Sequence, residues 1–244
     1  KPVVIDFIGG DRAAIEAAGA IACVSLEDAA HKAVDVLRGK QAKDFTEFSL
    51  PETQIDQIVA TEAAKLKADQ TELRALFTGG TLADEAMKLL GDRHPIYSNI
   101  PLTADMAIEN LPAGGGHICL DLGEDQFTRG RPHPMIDPQT RSDFFESQVD
   151  GHTAVVLVDV VLGFGAHEDP ASAVAESVRG IRQKLSVEGK DLVVIAYVCG
   201  TDLDSQGFER SVAKLEAESI IVMPSNAQAV RLTDRVLQRA AKGA

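Results

Sequence analysis

The chain repeatedly runs from an apolar segment through a glycine-bearing turn into a segment with helical spacing of its apolar positions. Strands are predicted at 73–78, 117–122, 154–160, 192–198 and 219–223. Helices are predicted at 81–91, 138–148, 170–186, 205–217 and 226–241. The third and fourth strands are apolar at nearly every position, as is typical of strands buried on both faces. This alternation predicts an α/β fold, a doubly wound parallel sheet of the flavodoxin-like type.

The first 37 residues show the same order in a shorter form. A strand from Pro2 to Ile8 leads into a Gly9–Gly10 turn, a short helix and a second strand, 20–24. Ser25 is predicted to cap the following helix, with Asp28 three residues later as in a capping box. The predicted division is therefore the end of one such domain, a linker with a helix at 52–71, and a complete domain: 1–37, 38–71 and 72–244. The stretch 92–116 is predicted to be a surface excursion.

Composition narrows the range of partners. The formal net charge of −13 disfavours nucleic acid and anionic membranes, and no run approaches the roughly 20 apolar residues of a membrane span. We therefore expect a soluble protein with a small-molecule or protein partner. The three cysteines show no CxxC spacing, which favours a reducing, cytoplasmic setting, and no metal site is predicted. Because the chain opens inside a strand, it is expected to be part of a longer protein.

The turns carry the candidate chemistry. In a parallel sheet they all lie at the carboxyl ends of the strands, where helix N-termini favour phosphate or carboxylate. The first, after Phe77, offers Gly79, Gly80 and Thr81 as anion-binding residues, or it is simply a tight turn. It lacks the lysine of the Walker motif and the third glycine of the dinucleotide fingerprint.

The loop 128–134 combines Arg129, Gly130, Arg131 and His133 with two prolines. Such a stiffened basic loop suits bidentate binding of a carboxylate or phosphate. In the alternative interpretation, its arginines form salt bridges with nearby acids, for which the candidates are Asp121, Glu124, Asp125 and Asp137.

The next loop contains Gly163, Gly165 and His167, and His167 is a candidate proton carrier or phosphoryl acceptor. Alternatively it is a solvated loop residue before a helix that starts with an Asp cap and a proline, Asp169–Pro170. The last turn offers Gly200 and Thr201 as a backbone cradle, and Cys199 is interpreted as a buried small residue rather than a nucleophile.

Two acids lie in otherwise apolar strands, Asp121 and Asp159. A buried carboxylate must be paired or hydrogen-bonded. Each is therefore bound to the N–H groups of a turn or is part of a site, and both interpretations stay open.

The segments FTGGTLADEA, DLGEDQFTRGRPHPMIDP with Arg141 shortly after, LVDVVLGFGAHEDPA and CGTDLD resemble the carboxyl-terminal part of the FdrA proteins. These are predicted acyl-CoA synthetases of the succinyl-CoA synthetase and ATP-citrate lyase superfamily. The resemblance runs through nearly the whole chain. It implies that 1–37 match the end of an α-type ligase domain and that 73–241 match a β-type ligase domain. A CoA-binding domain would lie upstream.

The resemblance implies acyl-CoA ligase chemistry with an acyl phosphate intermediate. CoA, and ATP or phosphate, would come through other domains or subunits, and dimerisation is expected from the family. The phosphohistidine of the superfamily would fall in the segment GGDRAAIEAAGA, which contains no histidine. The candidate catalytic histidines are therefore His133 and His167, neither of which is at the matching position.

Three functional hypotheses follow. The first is a ligase module whose turns bind phosphate and a carboxylic acid. The second is an oxamate carbamoyltransferase component that uses carbamoyl phosphate, a chemistry connected with the family that the sequence resembles. The third is a non-catalytic assembly domain of a larger ligase.

Overall fold

The structure, a computed structural model, describes residues 1–7, 10–111 and 114–243. The chain divides into two compact units, Lys1–Ser49 and Leu50–Ala244. Parts of three predictions lie outside the described residues: the end of the first strand with its turn (8–9), residues 112–113 of the excursion, and residue 244 of the last domain. The three-part domain division stays a prediction.

The first unit contains two short parallel strands, β1 (Val4–Ile5) and β2 (Ile21–Ala22), with helices α1 (Arg12–Ala17) and α2 (Leu26–Leu37). The predicted cap of α2 is present, because the Ser25 hydroxyl accepts a hydrogen bond from the Asp28 backbone N–H at 3.0 Å. The Asp28 carboxylate in turn accepts from the backbone N–H of Val24 at 2.9 Å. This exchange satisfies donors that the start of a helix leaves unpaired.

The second unit begins with α3 and then alternates strands with helices. Its strands are β3 (Glu72–Phe77), β4 (Ile96–Ser98), β5 (His117–Asp121), β6 (Thr153–Val161), β7 (Val193–Cys199) and β8 (Ile221–Met223). Its helices are α3 (Glu52–Ala63), α4 (Gly80–Leu90), α5 (Asp125–Thr128), α6 (Gln139–Gln148), α7 (Pro170–Ser186), α8 (Phe208–Ala217) and α9 (Asn226–Gly243), with a 3₁₀ turn at Ala104–Met106. The helix predicted at 52–71 ends at Ala63, and the helix predicted from 205 starts only after Gly207, whose φ of 76° interrupts a helix.

The six strands form one parallel sheet in the order β4-β5-β3-β6-β7-β8. The prediction of five strands was wrong by one, because the excursion contains β4. This edge strand has only three residues, of which Tyr97 is exposed, so it leaves no continuous apolar run in the sequence. The other five strands follow the flavodoxin-like order, in which the direction of winding reverses between the first and third strands. This switch point lies between β3 and β6.

Helices cover both faces of the sheet. The helices α6, α7 and α8 pack on one face, and α4 and α9 pack on the other, with α3 against α9. Neighbouring residues of a strand therefore face different layers, as Leu157 and Val158 do in β6, and both are fully buried. Burial of such side chains contributes about 1.5–3 kcal/mol each. Within the part of the chain that the structure describes, no helix combines the length and the apolar character needed to cross a membrane.

Candidate functional site

The switch point is organised by the carboxylate of Asp159 in β6. Asp159 accepts hydrogen bonds from the Thr78 backbone N–H at 3.0 Å and from the Thr78 hydroxyl at 2.6 Å. Arg141 of α6 donates from Nη1 to the carboxylate at 3.0 Å and to the Asp159 carbonyl at 2.6 Å. The side chains of Arg141 and Asp159 are 3% and 1% exposed. Asp159 is therefore bound both to a turn N–H and to a cation.

The glycine turn follows directly. Helix α4 starts at Gly80, and its N-cap, Gly79, has no side chain that could accept a hydrogen bond from the first helical N–H groups. A Cβ placed on Gly79 would meet no atom within 4 Å, so the turn is open on that side. Thr81 is exposed in the first turn of α4. The partial positive charge of this helix start is thus available to an anion.

Asp121, at the end of β5, lies beside the same turn. Its Oδ1 accepts from the Gly123 N–H at 2.8 Å. The side-chain amide of Asn99 donates to the Asp121 carbonyl and accepts from the Asp121 N–H, both at 3.0 Å. A Cβ on Gly80 would lie 3.0 Å from Asp121 Oδ2, so a larger residue there would push against this carboxylate. Burial raises the pKa of Asp121, although the hydrogen bond from Gly123 opposes this. Burial next to the turn therefore disfavours the ionised form of Asp121.

The side chain of His133, in the basic loop 128–134, lies beside Gly123. A Cβ on Gly123 would lie 2.5 Å from His133 Nε2 and 2.7 Å from the Thr78 carbonyl oxygen. The Nδ1 atom of His133 accepts from the backbone N–H of Met135 at 3.2 Å. In the neutral ring this leaves the proton on Nε2, which makes Nε2 a donor beside the turn.

The arginines of the basic loop do not share this environment. Arg131 Nη1 lies 3.3 Å from both Asp143 Oδ2 and Thr140 Oγ1 of α6. Asp143 is not among the acids that the sequence suggested as partners. Both partners of the Arg131–Asp143 pair are about half exposed, so the pair is a surface salt bridge worth at most about 1 kcal/mol. Arg129 and Gly130 are exposed, and Gly130 adopts a φ of 81°.

His167 lies in the neighbouring loop. Its backbone N–H donates to the Met135 carbonyl at 2.7 Å, which joins the two histidine-bearing loops. Its Nδ1 accepts from the Asp169 N–H at 3.0 Å, and Asp169 caps α7 ahead of Pro170 as predicted. The loop glycines Gly163 and Gly165 have φ values of 139° and 84°, conformations that favour glycine.

Gln206 holds this loop in place. Its amide nitrogen donates to the carbonyls of Gly163 and His167 at 3.0 and 3.1 Å, and its oxygen lies 3.2 Å from the Gly163 N–H. Gln206 is buried, so these contacts also satisfy its amide. The loops after β6 and β7 are thereby tied to one another.

In the last turn, which follows β7, the side chain of Asp204 occupies part of the backbone cradle. The Thr201 N–H donates to the Asp204 carboxylate at 2.6 Å. A Cβ on Gly200 would lie 2.7 Å from the Leu162 side chain, so the loops after β6 and β7 approach closely there. Burial raises the pKa of Cys199, which disfavours the reactive thiolate.

The structure thus places Gly79 and Gly80 at the switch point, with Thr81 on the same helix start and His133 beside Gly123 after the neighbouring strand β5. His167, Gly163 and Gly165 lie in the adjoining loop, and Gly200 and Thr201 lie one strand further. Sequence reasoning missed Arg141, Asn99 and Gln206 as residues that shape the site. The sequence did indicate that Asp159 needs a partner, because a carboxylate inside the apolar strand β6 requires a cation or several donors, but it did not single out Arg141.

These features define a class: an α/β domain with an open glycine turn and two titratable side chains at the switch point of its sheet, the place where such domains bind ligands. The family model described as CoA-ligase matches residues 76–236, which include all the turns discussed above. The chain belongs to this CoA-ligase family and hence to the acyl-CoA synthetase-like superfamily.

A curated relative supports the match over a longer range. The chain is 35% identical over 228 residues to a protein of Escherichia coli (strain K12) described as "Uncharacterized protein YahF". The aligned region covers 93% of this chain and 43% of that relative. The chain therefore spans less than half the length of the curated relative that it matches.

Proposed function

We propose that this chain is the ligase module of an acyl-CoA synthetase-like protein of the FdrA type, and that it binds phosphate or an acyl phosphate together with a carboxylic acid. Family membership supports the reaction class. One observation carries the location: the carboxyl group of Asp121 lies beside Gly80 at the open start of α4, and the Nε2 atom of His133 lies beside Gly123, which follows Asp121 and Leu122. CoA and a nucleotide would reach this site through other domains or subunits.

The proposed chemistry follows from the donors at this position. The N–H groups at the start of α4 and the Nε2–H of His133 would bind the oxygens of the anion. Asp121 would repel an anion while it is ionised and would donate a hydrogen bond to it once protonated. Anion binding is therefore expected to be coupled to proton uptake at Asp121. His133 is the preferred proton carrier, and His167 in the adjoining loop is the second candidate.

The proposal is tested by isothermal titration calorimetry of the chain with inorganic phosphate and with succinate. His133→Ala is expected to weaken phosphate binding by at least about tenfold, because it removes a donor at the anion. His152→Ala is the matched control, since His152 is exposed at the start of β6, at the opposite edge of the sheet. If neither anion binds, or if His133→Ala binds phosphate as the wild type does, the proposed site is wrong and the assembly role becomes the better explanation.

Carbamoyl transfer is a second candidate, favoured by one observation in the first unit. The segment where the superfamily would have its phosphohistidine loop contains no histidine, and its residues Arg12–Ala17 form the short helix α1. A transfer that uses carbamoyl phosphate needs no phosphohistidine. Titration with carbamoyl phosphate and oxamate distinguishes the two candidates: binding of both, with no binding of succinate, would favour carbamoyl transfer.

A further inference from the structure

A buried network that makes none of the proposed ligand contacts lies next to the glycine turn. It consists of Arg141, Asp159 and Thr78, all of which are at most 3% exposed. A buried ion pair is often no more stabilising than well-packed apolar residues of the same volume, because both charges lose their hydration. The stability of the fold alone therefore gives little reason for this network.

The network lies where the backbone pairing between β3 and β6 ends. The register between β3 and β6 ends with the pair Leu76 and Val158. Two residues beyond Leu76, the Thr78 N–H is bound by the side chain of Asp159 instead of a backbone carbonyl. The chain can therefore leave the sheet at Thr78 and enter the turn, while a side chain still sets the position of Thr78.

Arg141 orients the Asp159 carboxylate that binds the Thr78 N–H. Its Nη1 donates to both the backbone carbonyl and the carboxylate of Asp159, so it orients the Asp159 side chain relative to its own strand. The Thr78 hydroxyl adds a charge-assisted hydrogen bond to the same carboxylate. The direction of the chain at the start of the turn is thus determined by a guanidinium group on α6.

We propose that Arg141 is a positioning residue of the switch-point site: through Asp159 and Thr78 it orients the Gly79–Gly80 turn, so that the first N–H groups of α4 converge on the anion. This inference rests on the proposed function. Arg141 itself touches no ligand, and its effect on binding passes through the two hydrogen bonds of Thr78.

The test compares two variants with two matched controls by calorimetric titration with inorganic phosphate, and thermal denaturation checks that each variant is folded. Arg141→Lys and Thr78→Val remove parts of the network. Arg74→Lys is the first control, because Arg74 is equally buried but binds carbonyls at the amino edge of the sheet. Thr233→Val is the second, because its buried hydroxyl donates to Ala229 within α9.

We expect Arg141→Lys and Thr78→Val to weaken phosphate binding by about tenfold or more, and both controls to stay within about twofold of the wild type. Thr78→Ser keeps the hydroxyl and is expected to retain wild-type affinity. If Arg141→Lys and Thr78→Val bind phosphate like the wild type, the positioning role is wrong and the proposed function stands. If all four variants lose affinity in parallel with their melting temperature, the network is only structural. If the wild type itself binds neither phosphate nor succinate, the proposed function fails and this inference fails with it.

Discussion

A buried arginine lies at each end of the parallel strands, and the two arginines make different contacts. The amino ends of the strands form the amino edge of the sheet, and the carboxyl ends form its carboxyl edge. At the amino edge, Arg74 donates to the carbonyls of Leu73, Gly116 and Gln148 and pairs with Glu72 at 2.5 Å. At the carboxyl edge, Arg141 binds one residue, Asp159, whose carboxylate then holds the turn before α4.

The difference shows how one residue type serves two purposes. Arg74 ties β3 to the ends of neighbouring segments, and Glu72 extends the same network by accepting from the Gly116 N–H at 2.8 Å. The contacts of Arg74 join the amino ends of β3 and β5 to the last residue of α6, and among the described residues no helix starts beside them. The network of Arg141 ends at an open glycine turn with Asp121 and His133 alongside it. Burial of an arginine therefore does not identify a site, whereas its connection to a helix start at the carboxyl ends of the strands does.

Removal of either guanidinium should produce the largest effects and sharpen this comparison. Arg74→Met and Arg141→Met are each expected to lower the free energy of unfolding by about 3–5 kcal/mol, because each leaves a buried acceptor or charge without its partner. Urea denaturation measures this loss. Phosphate titration of the folded variants should separate them, with affinity lost only in Arg141→Met; equal losses of affinity would contradict the division between the edges.

Filling the space between His133 and the turn should have the next largest effect. A Cβ in Gly123→Ala would come within 2.7 Å of both His133 Nε2 and the Thr78 carbonyl oxygen. Such overpacking is expected to destabilise the fold by about 1–3 kcal/mol and to weaken phosphate binding. Chemical denaturation and calorimetry check the two parts, and wild-type affinity in this variant would show that the anion binds elsewhere.

The charge of Asp121 should make the free energy of unfolding depend on pH. Because burial raises its folded-state pKa above the ordinary value of 3.8, the ionised form destabilises the fold, and this cost is lost as the pH falls through the raised pKa. Asp121→Asn is therefore expected to be more stable than the wild type at neutral pH, with the difference shrinking as the pH falls toward 4. Urea denaturation from pH 4 to 8 measures it.

The same substitution tests the coupling of anion binding to proton uptake. Phosphate binding by the wild type should weaken as the pH rises through the pKa of Asp121, beyond the change due to phosphate itself, because the ionised carboxylate repels the anion. The charges of Glu124 and Asp159 also raise this pKa, and His133 lowers it. Asp121→Asn should lack this additional weakening. Identical pH profiles for the two proteins would contradict a role for Asp121.

The smallest effect, of opposite sign, is expected far from either edge. Gly180 lies in α7, is exposed, and has no atom within 4 Å of the position where a Cβ would be. Gly180→Ala should raise the free energy of unfolding by up to about 1 kcal/mol, because alanine favours the helix more than glycine does. Thermal denaturation measures this gain, and phosphate affinity should not change.

Much of the fold could be predicted from the pattern of the sequence. Strands such as β6 are long and apolar, and local signals such as Ser25 and Asp169–Pro170 marked helix starts correctly. The edge strand β4 could not be recognised, because three residues with one exposed side chain give no period. The order of strands, which brings β3 next to both β5 and β6, depends on packing between segments far apart in sequence.

The candidate site was predictable only in part for the same reason. The glycine turn and His133 stand out locally, but their approach to each other depends on the order of the strands. The sequence left open whether Asp159 binds a turn or a ligand, and it offered no way to choose Arg141 over the other arginines as its partner. That choice depends on how α6 packs against the sheet.

The most direct test of the central claim is a titration of isotope-labelled protein with inorganic phosphate, followed through the backbone amide signals of its glycines. Gly79 and Gly80 lie at the carboxyl edge of the sheet, and Gly115 and Gly116 lie at the amino edge. We predict saturable shifts of Gly79 and Gly80, with Gly115 and Gly116 unchanged. Unshifted signals at Gly79 and Gly80, or equal shifts at both edges, would contradict an anion site at the switch point.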